Sequence, residues 1–298
     1  MPRLGIALSG HHLRLDSITR LARQADRLGY DPVLIDGDTA CVPGRPDAPI
    51  YEGLTLSGIV LERTQQARVG SIRLPFFWNP VLLARGLATL QEASGGRALA
   101  IFGLGGRDTR RIGLPPAGPG ERIDWTEEVL DALAPLLRGE RVTRHGRFVD
   151  LEGVQLPPLT HPPPIVVAAS GPRALAIVDA HAEVWDANVP PLIEEIEWRR
   201  ARLKRDLETW IWVFARPQDP FEEAASAYRR HCPWFSSVRD DLLPRALLFG
   251  DLDRCRDRLA AVREELRGTP ILDPIGLGEI ELARVLDGLA PAKDDAIS

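Results

Sequence analysis

The chain has 298 residues, 44% apolar and 27% charged, a balance that supplies a large core and excludes a disordered or fibrous protein. Its 37 basic against 42 acidic residues leave a formal charge of -5, which excludes a broad electrostatic surface for nucleic acid or anionic membrane. Three cysteines, Cys41, Cys232 and Cys255, lie far apart without a CxxC pair, which argues against a disulfide framework or a thiolate zinc site and points to a reducing, cytoplasmic setting. The apolar stretch from Leu4 to Leu8 is shorter than a signal peptide requires, and no apolar run reaches the roughly 18 residues of a membrane span, so an exported or embedded protein is not expected.

Short apolar runs alternate with segments of helical period along the chain. A strand over 4–9 precedes a helix over 16–28, in which Leu15, Ile18, Leu21, Ala22, Ala25 and Leu28 recur at helical spacing and Gly29 supplies the stop. The second unit is a strand over 32–35 and a helix over 54–66. The third is a strand over 69–74 and a helix over 80–93, with Pro80 suited to a first helical turn. The fourth is a strand over 98–104 and a helix over 121–138. Between about 139 and 164 the alternation breaks into a hairpin over 141–151, turning near His145-Gly146, and a stretch rich in proline from Pro157 to Pro164. Alternation resumes with strand and helix over 165–169 and 172–181, 184–187 and 191–207, 210–215 and 221–230, and 246–250 and 251–266. A last helix is predicted over 278–289.

Eight consecutive strand–helix units predict a closed α/β fold, the (β/α)8 TIM barrel, because closure removes both sheet edges and a helix covers every strand. It is expected to be a single domain over 1–298, with an insertion between units four and five. Such barrels carry their chemistry on the loops that follow the strands. That rule nominates His11 and His12 after strand one, Asp38 after strand two, and Phe76, Trp78 and Asn79 after strand three. Gly103 and Gly105 follow strand four, Ser170, Gly171, Pro172 and Arg173 follow strand five, and Trp185 and Asn188 belong to strand six and its exit.

The residue types at this rim carry chemistry. Phe76, Phe77, Trp78 and Trp185 form an apolar wall suited to a flat conjugated ring, while the glycines permit close backbone approach. The turn Ser170-Gly171-Pro172-Arg173 enters a helix directly from a strand, so backbone N–H groups, the helix dipole and one arginine converge where a phosphate fits. A purely structural cap is the alternative reading of that turn. His11, His12, Asp36 and Asp38 are metal-ligand types, but adjacent residues of an extended chain point to opposite faces, so no metal is expected. A single histidine titrating near neutrality serves instead as proton donor or substrate contact.

The run Leu87-Ala88-Thr89-Leu90-Gln91-Glu92-Ala93-Ser94-Gly95-Gly96-Arg97, followed by Phe102-Gly103-Leu104-Gly105-Gly106, resembles the LA…ATLD…SGGR…LGxGxG signature of the bacterial luciferase-like flavin oxidoreductases. Ala25-Asp26-Arg27-Leu28-Gly29-Tyr30-Asp31 is similar to that family's AExxGYD, Arg68-Val69-Gly70 to its RIRLG, and Asn79-Pro80 to its NP element. Ala169-Ser170-Gly171-Pro172-Arg173-Ala174-Leu175 resembles its phosphate loop and Phe249-Gly250-Asp251 its late GxP element, so the likeness covers nearly the whole chain in order.

The resemblance implies a (β/α)8 barrel that binds coenzyme F420 or FMN, with phosphate on the Ser170 to Arg173 loop, Ser71, Ile72 and Asn79 along the ring, and a non-proline cis peptide near Ser71-Ile72. It implies F420-dependent hydride transfer on a small organic molecule, in the manner of a reductase or dehydrogenase. The alternatives are a reduced-FMN monooxygenase that uses O2 and a separate flavin reductase, and a catalytically silent flavin-binding subunit. It further implies a homodimer through helices two and three. After strand two the family often carries an acidic residue followed by histidine; here Asp38 is followed by Thr39, so either His11 or His12 takes that place or the chemistry differs. The hairpin over 141–151 and the loop over 107–120 are expected to act as lids.

Overall fold

The computed structural model describes residues 3–8, 11–35, 37, 48–105, 117–187, 192–232 and 238–291. Four strand–helix units open the fold: β1 (Gly5–Leu8) with α1 (Leu15–Leu28), β2 (Val33–Ile35) with α2 (Gly53–Arg63), β3 (Val69–Arg73) with α3 (Pro80–Ala93), and β4 (Ala100–Gly103) with α4 (Pro119–Leu137). The antiparallel hairpin β5 (Val142–His145) and β6 (Asp150–Val154) stands where the insertion was expected. Then come β7 (Ile165–Ala168) with α5 (Pro172–His181), β8 (Val184–Asp186) with α6 (Ile193–Arg200), and the long β9 (Glu208–Pro217). The chain ends with α7 (Phe221–His231), α8 (Leu243–Ala246), β10 (Leu247–Gly250), α9 (Leu252–Leu266), β11 (Thr269–Pro274) and α10 (Glu279–Gly288).

Parallel pairing runs β1-β2-β3-β4-β7-β8-β9-β11 and returns to β1, which closes an eight-stranded TIM barrel. The eighth strand of this ring is β11, not the expected strand over 246–250. Pro270 and Pro274 hide it from sequence reading, since proline lacks a ladder donor and argues against a central strand. Ile271 and Leu272 nonetheless pair with Gly5 and Ile6 on one side and with Trp212 and Val213 on the other. Among the described residues β10 pairs with Phe214 to Pro217 of β9 alone and lies outside the ring. α10, read as a tail, is therefore the helix of the eighth unit. The helix expected over 191–207 is shorter: α6 ends at Arg200, and Leu203 and Leu207 pack against the core from outside it.

Much of the resemblance falls on staples at the N-terminal ends of the strands. Gly29 closes α1 at φ 86°, and Asp26 accepts hydrogen bonds from the backbone N–H groups of Gln65 (2.8 Å), Gln66 (2.9 Å) and Ala67 (2.7 Å). The Tyr30 hydroxyl donates to Leu286 O at 2.9 Å, and the Asp31 carboxylate accepts from Arg68 N at 2.9 Å. Gly95 and Gly96 hold φ of 67° and 95° so that the Arg97 guanidinium can donate to Leu61 O (2.9 Å) and Ala67 O (3.1 Å). These segments define the barrel's closed end and its stability, the usual meaning of that face in such barrels.

β10 pairs in parallel with the C-terminal end of β9, so the connection from β9 through α7 stays at that end instead of descending the barrel wall. α7 accordingly sends Ala224 and Tyr228 into the cluster that holds Trp212, Phe214 and Ile271, with the Tyr228 and Phe214 rings 5.2 Å apart. α9 packs against α6 and β11 and takes the place of the seventh barrel helix.

The hairpin expected to act as a lid is fastened to α4. The Glu128 carboxylate accepts from the N–H groups of Arg147 (3.1 Å), Phe148 (2.8 Å) and Val149 (3.0 Å), and the Phe148 ring stacks on Trp125 at 4.9 Å. Burial works against the charged carboxyl, but the three backbone donors and Arg144 outweigh it and hold Glu128 below the ordinary carboxylate range. A carboxyl depressed on folding contributes stability above its unfolded pKa and loses it as pH falls through its folded value. Amide protection of Phe148 and Val149 is expected to decline below about pH 4 in the native protein, while Glu128→Gln flattens that decline; equal pH profiles in hydrogen exchange would remove Glu128 as the clamp.

Candidate functional site

Strand alternation decides which residues reach the mouth. In β8, Val184 and Asp186 face the barrel interior and Trp185 faces the helices, fully buried, with its indole donating to Ala169 O at 2.9 Å. Trp185 is thus corrected from mouth lining to outer core. In β3, Ser71 turns outward, its Oγ 3.2 Å from the Ser57 Oγ of α2, while Ile72 turns inward. Phe76 packs on Phe77 and on Trp125 of α4, only 1% exposed, so it too leaves the expected wall. Trp78 is half-buried with the Arg73 guanidinium 5.8 Å from its ring centroid, and the Asn79 side chain is spent capping α3 through Val81 N (3.0 Å) and Leu82 N (3.2 Å). Asp38 and Asn188 lie outside the described residues, as do Gly106 and most of the loop over 107–120.

Ile72 is the centre of a tight backbone approach. A Cβ on Gly37 would stand 1.6 Å from Ile72 O, and one on Gly103 would stand 3.0 Å from Ile72 Cγ2, so both strand ends close onto it without side chains of their own. Gly105 meets only Leu74, at 3.8 Å. Among the described residues the one cis peptide is Asp31–Pro32; Ser71–Ile72 is trans, and Ser71 and Ile72 keep regular pairing with Ile35 and Ile101. Arg73, 2% exposed, adds a buried cation behind this strand end. Burial opposes ionisation of the nearby Glu52, yet its hydrogen bonds to Thr55 and Leu54 and the Arg73 charge hold it below the ordinary range.

The turn after β7 opens α5, with Gly171 as N-cap and Pro172 in the first turn. A Cβ at Gly171 would meet nothing within 4 Å, so the space in front of this helix start is open. Two guanidinium groups flank it. Arg173 is paired with Asp124 of α4, and Arg199 of α6 donates to Ser170 O at 3.2 Å while bridging to Glu195 at 2.8 Å. Free N–H groups, a positive dipole end and two cations fit the anionic group of a phosphorylated cofactor.

On the opposite side of the mouth, His11 is buried and His12 half-buried after β1. The His12 ring meets His231 at the end of α7, with centroids 4.6 Å apart and planes at 89°. The floor beneath is aromatic, and within it Asp186, fully buried, accepts from Trp212 Nε1 at 2.9 Å. Sequence reading missed Trp212, His231 and Arg199, because an indole in an apolar strand and charged residues at helix ends carry no local mark of a site. A groove of about 500 Å³ lined by Arg14, Arg23, Tyr51 and Arg63 lies on the outer wall between α1 and α2.

A closed parallel barrel that gathers an open helix start, two guanidinium groups and glycine-floored strand ends on one rim defines an α/β-barrel protein with its polar groups collected where the strands end. Residues 2–269 match the sequence profile described as luciferase-like monooxygenase, and the chain belongs to that family. It is 27% identical over 221 residues, 70% of this chain, to an FMNH(2)-dependent dimethylsulfone monooxygenase of Pseudomonas putida, and the matched stretch spans 60% of that relative's length. Its fold is similar to that of an F420-dependent secondary alcohol dehydrogenase (TM-score 0.78, 17% identity, 97% of this chain and 99% of that one). It is also similar to the monooxygenase RslO1 of Streptomyces bottropensis (TM-score 0.77, 21% identity, 97% of each chain). A third likeness is to the coenzyme F420-dependent tetrahydromethanopterin reductase of Methanopyrus kandleri (TM-score 0.71, 17% identity, 97% of this chain and 98% of that one).

Proposed function

We propose that the protein is an oxidoreductase of small organic molecules that uses coenzyme F420 for hydride transfer. The observation that carries this reading is the open α5 start at Gly171, flanked by Arg173 and Arg199, on the same rim as the glycine-floored strand ends of β2 and β4. Ser170, Gly171, Pro172 and Arg173 would hold the phosphate, and Ile72, Gly103 and Gly105 would back the ring. When bound, the cofactor supplies the two-electron chemistry, and the protein supplies position and electrostatics. α7 and the aromatic floor of Trp212, Phe214 and Tyr228 exclude water from the interior side of the site. His11, His12 and Asp38 would face the substrate, with Trp78 at its edge.

Reduced FMN and a monooxygenase reaction, with a separate flavin reductase as partner, is the second reading, favoured by the Pseudomonas putida relative. The protein is proposed to work in the cytoplasm as a homodimer through α2 and α3, where Leu82 is 60% exposed. Among the described residues no helix is long and apolar enough to cross a membrane.

Titration of the purified protein with FMN and F420, each oxidised and reduced and followed by fluorescence, tests the reading. Selective F420 binding supports hydride transfer, selective binding of reduced FMN supports oxygenation, and no binding of either sinks both. Arg173→Ala is expected to weaken binding by about 1–3 kcal/mol through loss of a charge-assisted contact. An unchanged dissociation constant removes Arg173 from the phosphate site.

A further inference from the structure

We propose that the groove between α1 and α2 is a second binding site, built for a small organic dianion whose two anionic groups are separated by an apolar body. The groove has a volume of about 500 Å³, within the range of small-molecule sites. Arg14, which opens α1, stands at its head beside Tyr51, whose hydroxyl oxygen accepts from Leu15 N at 3.0 Å. Among the described residues that hydroxyl gives its own proton to no acceptor, so it can donate to a ligand. Arg23, further along α1, and Arg63, in the last turn of α2, line the other end. From Arg14 to Arg23 the chain covers about 13 Å at the rise of an α-helix.

The local sequence explains this lining. α1 buries Ile18, Leu21, Ala22 and Ala25 against the barrel, which turns Thr19 and Arg23 outward on the flank that faces α2. α2 buries Leu56, Val60 and Leu61 and leaves Ile59 and Arg63, one turn apart, to face α1. Leu15, 37% exposed, and the half-buried Ile59 supply the apolar surface between the cations.

Charge separates this groove from the other flank of α1. There the chain matches its own arginine: Arg20 reaches Glu279 of α10 at 2.6 Å and Asp16 at 3.0 Å, and Ser17 donates to the same Glu279 at 2.6 Å. Toward α2 no such match is made. Among the described residues Arg14 and Arg23 have no ion pair, and Arg63 reaches only Glu62, its neighbour in sequence, at 3.5 Å, with that carboxylate 76% exposed. Asp16, the carboxylate in the lining, is taken by Arg20. Three like charges around one concavity repel each other, and an anionic group at each end relieves that repulsion. Guanidinium groups suit carboxylate or phosphate, which they bind through paired hydrogen bonds. The apolar surface between them adds the burial of a hydrocarbon body, which a doubly charged inorganic ion lacks.

Isothermal titration calorimetry of the purified protein at low ionic strength, with dodecanedioate, dodecanoate and succinate as probes, tests the site. Dodecanedioate is expected to bind at least about tenfold more tightly than dodecanoate, which lacks one anionic end, and than succinate, which is too short to reach both. Arg14→Ala and Arg23→Ala are each expected to remove the preference over dodecanoate, and added salt is expected to shrink it. Both side chains are exposed, so both variants are expected to fold. Arg27→Ala, on the α10 flank, and Arg173→Ala, at the start of α5, are expected to leave the preference unchanged. Equal affinity for dodecanedioate and dodecanoate, or a preference that survives both Arg14→Ala and Arg23→Ala, overturns the proposal. A preference lost in Arg173→Ala but kept in the α1 variants places the dianion at the α5 start and overturns it too. The titrations contain no flavin or deazaflavin, so their outcome is separate from the reading of the cofactor rim.

Discussion

Asp26→Ala is expected to lower stability by about 3–5 kcal/mol, the largest loss from removing any one side-chain carboxylate at the closed end of the barrel. Asp26 is 8% exposed in the last turn of α1, and its two oxygens accept three backbone N–H groups from residues 65 to 67, the segment that delivers the chain into β3. Removing the carboxylate strands those donors. The Ala67 amide is buried and has no access to replacement water, so its share of the loss is the full desolvation cost. Asp26→Asn keeps one acceptor and turns an amide donor toward backbone donors, so a loss of about 1–3 kcal/mol is expected. Denaturant midpoints measure both. A midpoint unchanged in Asp26→Ala would show that the staple carries no net stability. Because the site lies at the other end of the strands, cofactor affinity of the folded variant is expected to stay at the native level.

Gly37→Ala is expected to cost about 3 kcal/mol or more and to abolish cofactor binding even where the protein folds. The added methyl would stand 1.6 Å from Ile72 O and 2.5 Å from its carbonyl carbon, and a backbone carbonyl has no rotamer by which to yield. Either β2 or β3 must move, which breaks the pairing of Ile35 with Ser71 and displaces Ile72 from the rim. Gly29→Ala is the control. Gly29 has φ 86° with nothing within 4 Å of its missing Cβ, so only backbone strain of about 1 kcal/mol is expected, with cofactor binding intact. Thermal unfolding and fluorescence titration of the two variants separate strain from collision. Equal losses would mean that the Gly37 contact relaxes freely and does not shape the rim.

The alternation of apolar runs and helical stretches was enough to read seven of the ring's strands and the inserted hairpin, because each buried strand and each amphipathic helix carries its own period. The residues resembling the luciferase-like family were equally legible, and the structure shows that many of them, Asp26, Gly29, Tyr30, Gly95 and Arg97 among them, tie loops at the closed end instead of touching the site. Local sequence misplaced the eighth strand, since Pro270 and Pro274 argue against a central position that only pairing with β1 and β9 can establish. It also placed Ser71 and Trp185 at the rim, where period-two alternation turns both side chains toward the helices.

What the sequence determined by itself is the barrel, its insertion and the helix start that suits a phosphate, because these follow from interactions between residues close along the chain. What only the tertiary structure decided is which side chains meet: His12 with His231, Arg199 with Ser170, and Gly37 with Ile72. Those meetings depend on ring closure and on α7 crossing the mouth, and contacts between residues distant in the chain leave no periodic mark on either one.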